Sequence, residues 1–250
     1  MKAIISEKYE GFRTFLLTIN TQSLPLLGGA GGGLPDSQSE TIYEKRNVVR
    51  RIEHQGQVFI VKQYKRPHLL QRFIYTFFRP SKAQRAYQNA AVFRALGIET
   101  PREVAYFETR RCGLFADSWF VSEEAKGTET HLLLREVQDF SHELADAVMR
   151  QVVCMHEKGI LHGDLNLSNF LCSEDATGYH FSMIDTNRSR FCKGWPTRKQ
   201  CLQNLVRLTH RRDLYAYLIG SYARQRGWDE AQTVDEALRL LHRFEHRIIR

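Results

Sequence analysis

Three side chains in the second half of the chain have the types and spacing that phosphoryl transfer requires. Asp164 and Asn169 stand five residues apart in LHGDLNLSNFL (161–171), and Asp185 ends the apolar run HFSMID. Such chemistry needs a carboxylate that accepts the proton of an attacking hydroxyl and aligns its oxygen. It also needs oxygen ligands that hold Mg²⁺ against nucleotide phosphates, and a cation that fixes those phosphates. The Asp164–Asn169 interval matches H-R-D-x-x-x-x-N, and Asp185 stands where the aspartate of D-F-G belongs. Lys62 closes VFIVK as the lysine of V-A-I-K closes its strand. Any one of these matches is weak; four in the right order are specific.

The elements that must position these groups can be read from periodicity. Residues 41–66 alternate like strands, with Gln55-Gly56 as a hairpin turn between TIYEKRNVVRRIEH and QVFIVKQY. A basic, aromatic helix is expected over 68–79. A second is expected over 81–97, opened by Ser81 and closed by Gly97. EVAYFE and SWFVSEE complete a small sheet. SHELADAVMRQVVCMHEK (141–158) then has the apolar stripe of a helix, NFLC and HFSMID flank a turn, and helical patterns run from 197 onward. This order predicts an α+β, two-lobed kinase-like fold: residues 1–124 as a lobe built on a small antiparallel sheet, 125–250 as a mainly helical lobe. The glycine run 28–33 lacks the Gly-Lys-Ser/Thr of a phosphate loop and reads as a connection.

Composition narrows the partners. With 36 Lys+Arg against 28 Asp+Glu, the chain carries a net charge of +8, which suits an anionic partner. No zinc-finger, aromatic RNA-binding or helix-turn-helix signature supports nucleic acid. Five cysteines without a CxxC pair predict neither disulfides nor zinc. Cys154 and Cys172 read as buried thiols in a reducing, cytoplasmic setting. MKAIISEKYEGF lacks a secretory apolar core. Phe73, Ile74, Tyr75, Phe77 and Phe78, with Arg66, Arg72 and Arg79, could place the 68–79 helix on the anionic inner face of the inner membrane. The competing reading packs that helix on the sheet.

HGDLNLSNFL, MIDTNRSRF and SKAQRAYQNA…LGIETP resemble the Kdo/WaaP lipopolysaccharide kinase family over about residues 41–215. The resemblance implies ATP- and Mg²⁺-dependent phosphorylation of a sugar hydroxyl, Kdo or heptose, in the lipid-linked core of lipopolysaccharide. It makes Asp164 the base, Asn169 and Asp185 the metal ligands, and Lys62 the contact to the α/β-phosphates. His162 would orient the loop. Asn187 and Arg188 would face the substrate. Gly163 would give the backbone freedom beside Asp164.

Two departures from the protein-kinase pattern keep other readings open. The first turn, Tyr43 to Asn47, has no glycine-rich loop; Lys45 and Arg46 there either meet the phosphates or form a solvated turn. No glutamate in 81–97 can pair with Lys62; Gln88 is the nearest polar substitute and Ala86 stands near the expected position. The alternatives are a nucleotide-binding pseudokinase acting as an interaction module, and another small-molecule or protein kinase of the same fold.

Overall fold

In QVFIVKQY, alternation puts Phe59 and Val61 on one face of a strand and Ile60 and Lys62 on the other. A computed structural model of the chain describes residues 1–21, 37–45 and 47–248. These divide into two compact units, residues 1–94 with 101–124, and residues 95–100 with 125–250.

The first unit contains β1 (Lys2–Ile5), α1 (Arg13–Thr21), β2 (Ser37–Glu44), β3 (Val48–His54), β4 (Gln57–Tyr64), α2 (Leu69–Phe77), α3 (Lys82–Ala95), β5 (Glu103–Arg111) and β6 (Leu114–Glu123). Its six strands form one antiparallel sheet in the order β1-β5-β6-β4-β3-β2. Gln55-Gly56 and Cys112-Gly113 close two of its hairpins with positive φ at both central residues, the mirror-image turn whose twist suits right-twisted strands. One face buries Ile52, Phe59, Val61, Phe107 and Val121 against Tyr9, Phe15, Leu16 and Ile19. The Phe59 ring lies 6.1, 5.5 and 5.6 Å from those of Tyr9, Phe12 and Phe15, within the range of favourable aromatic pairs. Of this N-terminal layer the sequence displayed only the apolar run 15–19.

On the opposite face, Ala83 of α3 packs with Tyr64 and Tyr106, beside Phe120. The Ser81 hydroxyl caps α3 by accepting from Gln84 N at 3.1 Å, and Gly97 (φ +70°) follows its last turn. Ala86 is buried and Gln88 is exposed. The α2 helix is fixed by its polar side: Arg72 Nε donates to the Phe115 carbonyl at 2.6 Å, and the Thr76 hydroxyl accepts from Phe115 N at 2.9 Å. Arg72 is thereby turned inward, which removes it from the basic surface expected of this helix. None of the α2 side chains is buried.

The second unit holds β7 (Thr128–Glu129), α4 (Thr130–Leu134), α5 (His142–Glu157), β8 (Ile160–Leu161), β9 (Phe170–Asp175), β10 (Gly178–Met183), β11 (Arg190–Phe191), α6 (Arg198–Leu205), α7 (Arg212–Gln225) and α8 (Glu230–Ile248). Leu144, Val148, Val152 and Met155 form the buried stripe of α5, which packs on α7; α7 packs in turn on α8. Cys172 is buried, but Cys154 lies off that stripe and is only half-buried. The strands form a β10-β9-β7 sheet and a β11-β8 pair. Residues 95–100 join this unit through specific bonds. Met183 N donates to Glu99 O at 2.8 Å, and Thr100 Oγ1 donates to Met183 O at 2.6 Å. Among the described residues no helix is long and apolar enough to cross a membrane.

Candidate active site

The second unit brings Asp164, Asn169 and Asp185 together through two loops tied by backbone and side-chain bonds. The first loop leaves β8 and enters a short 3₁₀ turn, Leu167–Asn169, capped by the Asn166 side chain, which accepts from Ser168 N at 2.9 Å. The buried Asn169 amide donates from Nδ2 to the Asp164 carbonyl at 2.7 Å. That bond fixes the five-residue interval and leaves the amide's acceptor atom, Oδ1, outside it. The second loop begins where Ile184 N donates to Asn169 O at 3.0 Å, one residue before Asp185.

Asp185 adopts a left-handed conformation (φ 58°, ψ 43°). Among the described residues, the other non-glycine positions with positive φ are Gln55 and Cys112, both in hairpin turns. Asp tolerates this region better than most side chains, and such conformations concentrate where function requires them. Asn187, buried beside it, donates its amide to Asp185 Oδ1.

His162 lies fully buried between the loops. Its Nε2 donates to the Ile184 carbonyl at 3.0 Å, so Nδ1 accepts from Asp164 N, 3.3 Å away. Burial pushes its pKa below the usual histidine range, against the pull of the Ile184 bond and of Asp185 and Asp164. With one nitrogen donating and the other accepting, the imidazole ties the Asp164 loop to the Asp185 loop. Gly163 is required for space, not for dihedral freedom: its φ is not positive, and a Cβ there would collide with the Arg188 carbonyl.

Sequence reasoning missed Asn204 on α6. Its Nδ2 donates to the His162 carbonyl at 2.6 Å, while its Oδ1 accepts from His156 Nε2 at 3.1 Å. His156 Nδ1 then accepts from the Tyr222 hydroxyl at 2.8 Å, and that hydroxyl accepts from Arg226 at 3.0 Å. No local pattern flags an asparagine 42 residues downstream of its partner. The 197–212 stretch, whose basic residues read either as a solvated helix face or as contacts for anionic lipopolysaccharide phosphates, is largely engaged within the protein. Arg198 binds Glu236 at 2.9 Å, and Arg211 binds Asp213 and the carbonyls of Val137 and Gln138. Arg207 Nη1 lies 3.7 Å from Asp164 Oδ1, and Arg188 Nη1 lies 3.8 Å from Asp164 Oδ2. Two half-exposed guanidiniums therefore flank the carboxylate.

Lys62 and Lys45 belong to the first unit. Lys62 pairs in register with Val49 and Phe120, and its Nζ lies 5.6 Å from the centre of the Tyr64 ring. Lys45 is exposed in the β2–β3 turn, and Arg46 lies outside the described residues. The buried Glu103 is held by Arg94 through two hydrogen bonds, at 2.5 and 3.1 Å.

A sequence model of the lipopolysaccharide kinase (Kdo/WaaP) family matches residues 40–243. The chain belongs to that family. Two curated relatives, the 3-deoxy-D-manno-octulosonic acid kinases of Vibrio vulnificus strains YJ016 and CMCP6, are each 25% identical over 122 residues. Those alignments cover 47% of this chain and 51% of each relative, so the match spans about half their length. Among solved structures, WaaP in complex with acyl carrier protein superposes with a TM-score of 0.59 at 19% identity, covering 99% of this chain and 98% of that one. That likeness shows the fold: α+β and kinase-like, with a small antiparallel sheet and a mainly helical second half.

Proposed function

We propose that the chain is a kinase that transfers the terminal phosphoryl group of ATP, with Mg²⁺, to a hydroxyl of a lipopolysaccharide core sugar. The observation that carries the reading is the Asp164–Asn169–Asp185 arrangement, locked around His162 within a member of this family. Asp164 accepts the acceptor hydroxyl's proton as its oxygen bonds to the γ-phosphorus and the bond to the departing ADP breaks. Asn169 Oδ1 and the Asp185 carboxylate are hard oxygen donors on adjoining loops. Mg²⁺ ordinarily binds nucleotide enzymes through one or two carboxylates, waters and the phosphates themselves, so this small donor set fits it. Bound there, the ion would neutralise charge developing on the phosphates. Lys62 is the proposed contact to the α/β-phosphates.

The guanidiniums of Arg188 and Arg207 favour an acceptor with negative charge near the attacked hydroxyl. Kdo, a sugar acid, meets that requirement better than heptose, and the relatives' name points the same way. The test is incubation with ATP, Mg²⁺ and Kdo-lipid A, followed by mass spectrometry, with a heptose-bearing acceptor in parallel. Phosphate on neither acceptor would remove the proposal.

One observation favours a second reading, nucleotide binding without transfer. The α3 helix presents Ala83, Ala86 and Ala90 as buried residues and contains no Asp or Glu, a departure from the protein-kinase pattern. Tight nucleotide binding with no turnover on any core sugar would support it.

A further inference from the structure

The net charge has a single source. Residues 54–98 hold eight Lys or Arg and no Asp or Glu, which leaves 28 of each sign, mutually cancelling, in the rest of the chain. The excess of +8 thus falls entirely on the segment that includes β4, α2 and α3.

Within that segment, α2 is mounted with its apolar side outward. Leu69, Leu70, Phe73, Phe77 and Phe78 are between 47% and 75% exposed. The Phe73 ring lies 5.0 Å from that of Phe77 and 5.9 Å from that of Phe78, so the three phenylalanines form one cluster on the helix that also exposes Leu69 and Leu70. The helix is held in this orientation by Arg72, Thr76 and the packing of Tyr75 on Phe115, with ring centroids 5.4 Å apart. An apolar patch of this kind, fixed in water, marks an interaction surface. Its surroundings are cationic: Lys65, His68 and Arg79 are exposed, as are Arg110 and Arg111 on the β5–β6 hairpin. That hairpin is tied to α2 by Arg72 Nη2 donating to Arg111 O at 3.3 Å. Beside the helix opens a pocket of ≈ 500 Å³ lined by Lys65, His68, Lys82, Tyr64 and Tyr75. On the adjoining strand β6, Asp117 is occupied by Arg66 at 2.6 Å.

We propose that α2 docks the protein on an anionic lipid bilayer: its Leu/Phe face enters the edge of the hydrocarbon, and the surrounding cations and pocket receive headgroup phosphates. A bilayer offers hydrocarbon and diffuse negative charge in one plane, which is the combination displayed here. Nucleic acid offers no home for five apolar side chains. A nine-residue helix inserts too little area to anchor alone, so the basic surround is the necessary second signal. The inference is independent of catalytic competence.

The test is co-sedimentation of the full chain with phosphatidylethanolamine–phosphatidylglycerol vesicles and with phosphatidylcholine vesicles. Wild type should pellet with the anionic vesicles in a salt-sensitive way and remain soluble with the zwitterionic ones. Phe73→Ser/Phe77→Ser/Phe78→Ser and Lys65→Glu/Arg79→Glu change only exposed side chains, and circular dichroism checks that both remain folded. Each should lose at least about tenfold in anionic-vesicle affinity. Wild type that stays in the supernatant, or a triple variant that pellets like wild type, overturns the proposal. So does capture by an acidic acyl carrier protein that both variants abolish, without vesicle binding; that outcome assigns the face to a protein partner.

Discussion

Asn204 donates to the backbone carbonyl of His162 at 2.6 Å, and through that bond α6 holds the loop carrying Asp164. The same side chain accepts from His156, so one asparagine satisfies two buried groups. Asn204→Ala leaves the His162 carbonyl and the His156 Nε2–H without those partners, at a cost of about 2 kcal/mol by the usual penalty for buried unsatisfied groups. Urea denaturation should show the midpoint falling with an unchanged m-value. Wild-type stability would mean that the loop is held by other contacts.

The proposed roles of the carboxylates separate by readout. Asp164→Asn should lower kcat by about three orders of magnitude while nucleotide affinity is preserved, because it removes only the proton acceptor. Asp185→Asn and Asn169→Ala should instead raise the Mg²⁺ concentration needed for nucleotide binding, read by fluorescent-nucleotide titration. Arg207→Ala should raise KM for an acidic acceptor by about tenfold, the scale of one charge-assisted hydrogen bond. Retained turnover in Asp164→Asn would reassign the base.

Gly163 offers a steric test. A methyl group there meets backbone, the Arg188 carbonyl, and cannot be relieved by a side-chain rotation. Gly163→Ala should cost about 1–3 kcal/mol and pull the two loops apart, with loss of activity beyond the loss of folded protein. Thermal unfolding combined with an activity assay on the folded fraction distinguishes these effects.

His156 makes stability depend on pH. Burial, reinforced by the positive charge of Arg226 and opposed by the Asn204 bond, lowers its pKa from 6.5 to about 4. Between those values the unfolded chain binds the proton and the folded chain does not. Stability therefore falls as pH drops from 6.5 toward 4, by on the order of 3 kcal/mol from this group, and is fully present above that window. His156→Gln, compared with wild type by denaturant unfolding at pH 7 and pH 4.5, should show a shallower acid loss. Parallel pH curves would remove the assignment.

Spacing made the pairing of the Asp164–Asn169 loop with the Asp185 loop legible. Asp164, Asn169 and Asp185 lie near one another in sequence, on loops whose flanking strands alternate clearly. Ser81, Gly97 and Gln55-Gly56 were legible for the same reason: caps and turns are local chemistry. Asn204, and the placement of Arg207 beside Asp164, were not, because the partners lie about forty residues away and nothing local distinguishes these positions from a helix surface. The orientation of α2 was also hidden, since its composition suits a buried helix and a lipid-facing one equally well. Arg72 and Thr76, bonding to backbone across the sheet, decide which side turns outward.

The N-terminal layer bears on how the chain can be cut. The family match begins at residue 40, yet β1 covers the outer edge of β5, and Tyr9, Phe12 and Phe15 close over Phe59. An expression fragment trimmed to the matched region would expose a raw sheet edge beside an uncovered aromatic floor, a combination that invites strand-to-strand aggregation. The first twenty-one residues, outside the matched region, act as the lid of the six-stranded sheet, and any truncation or circular permutation has to carry them along.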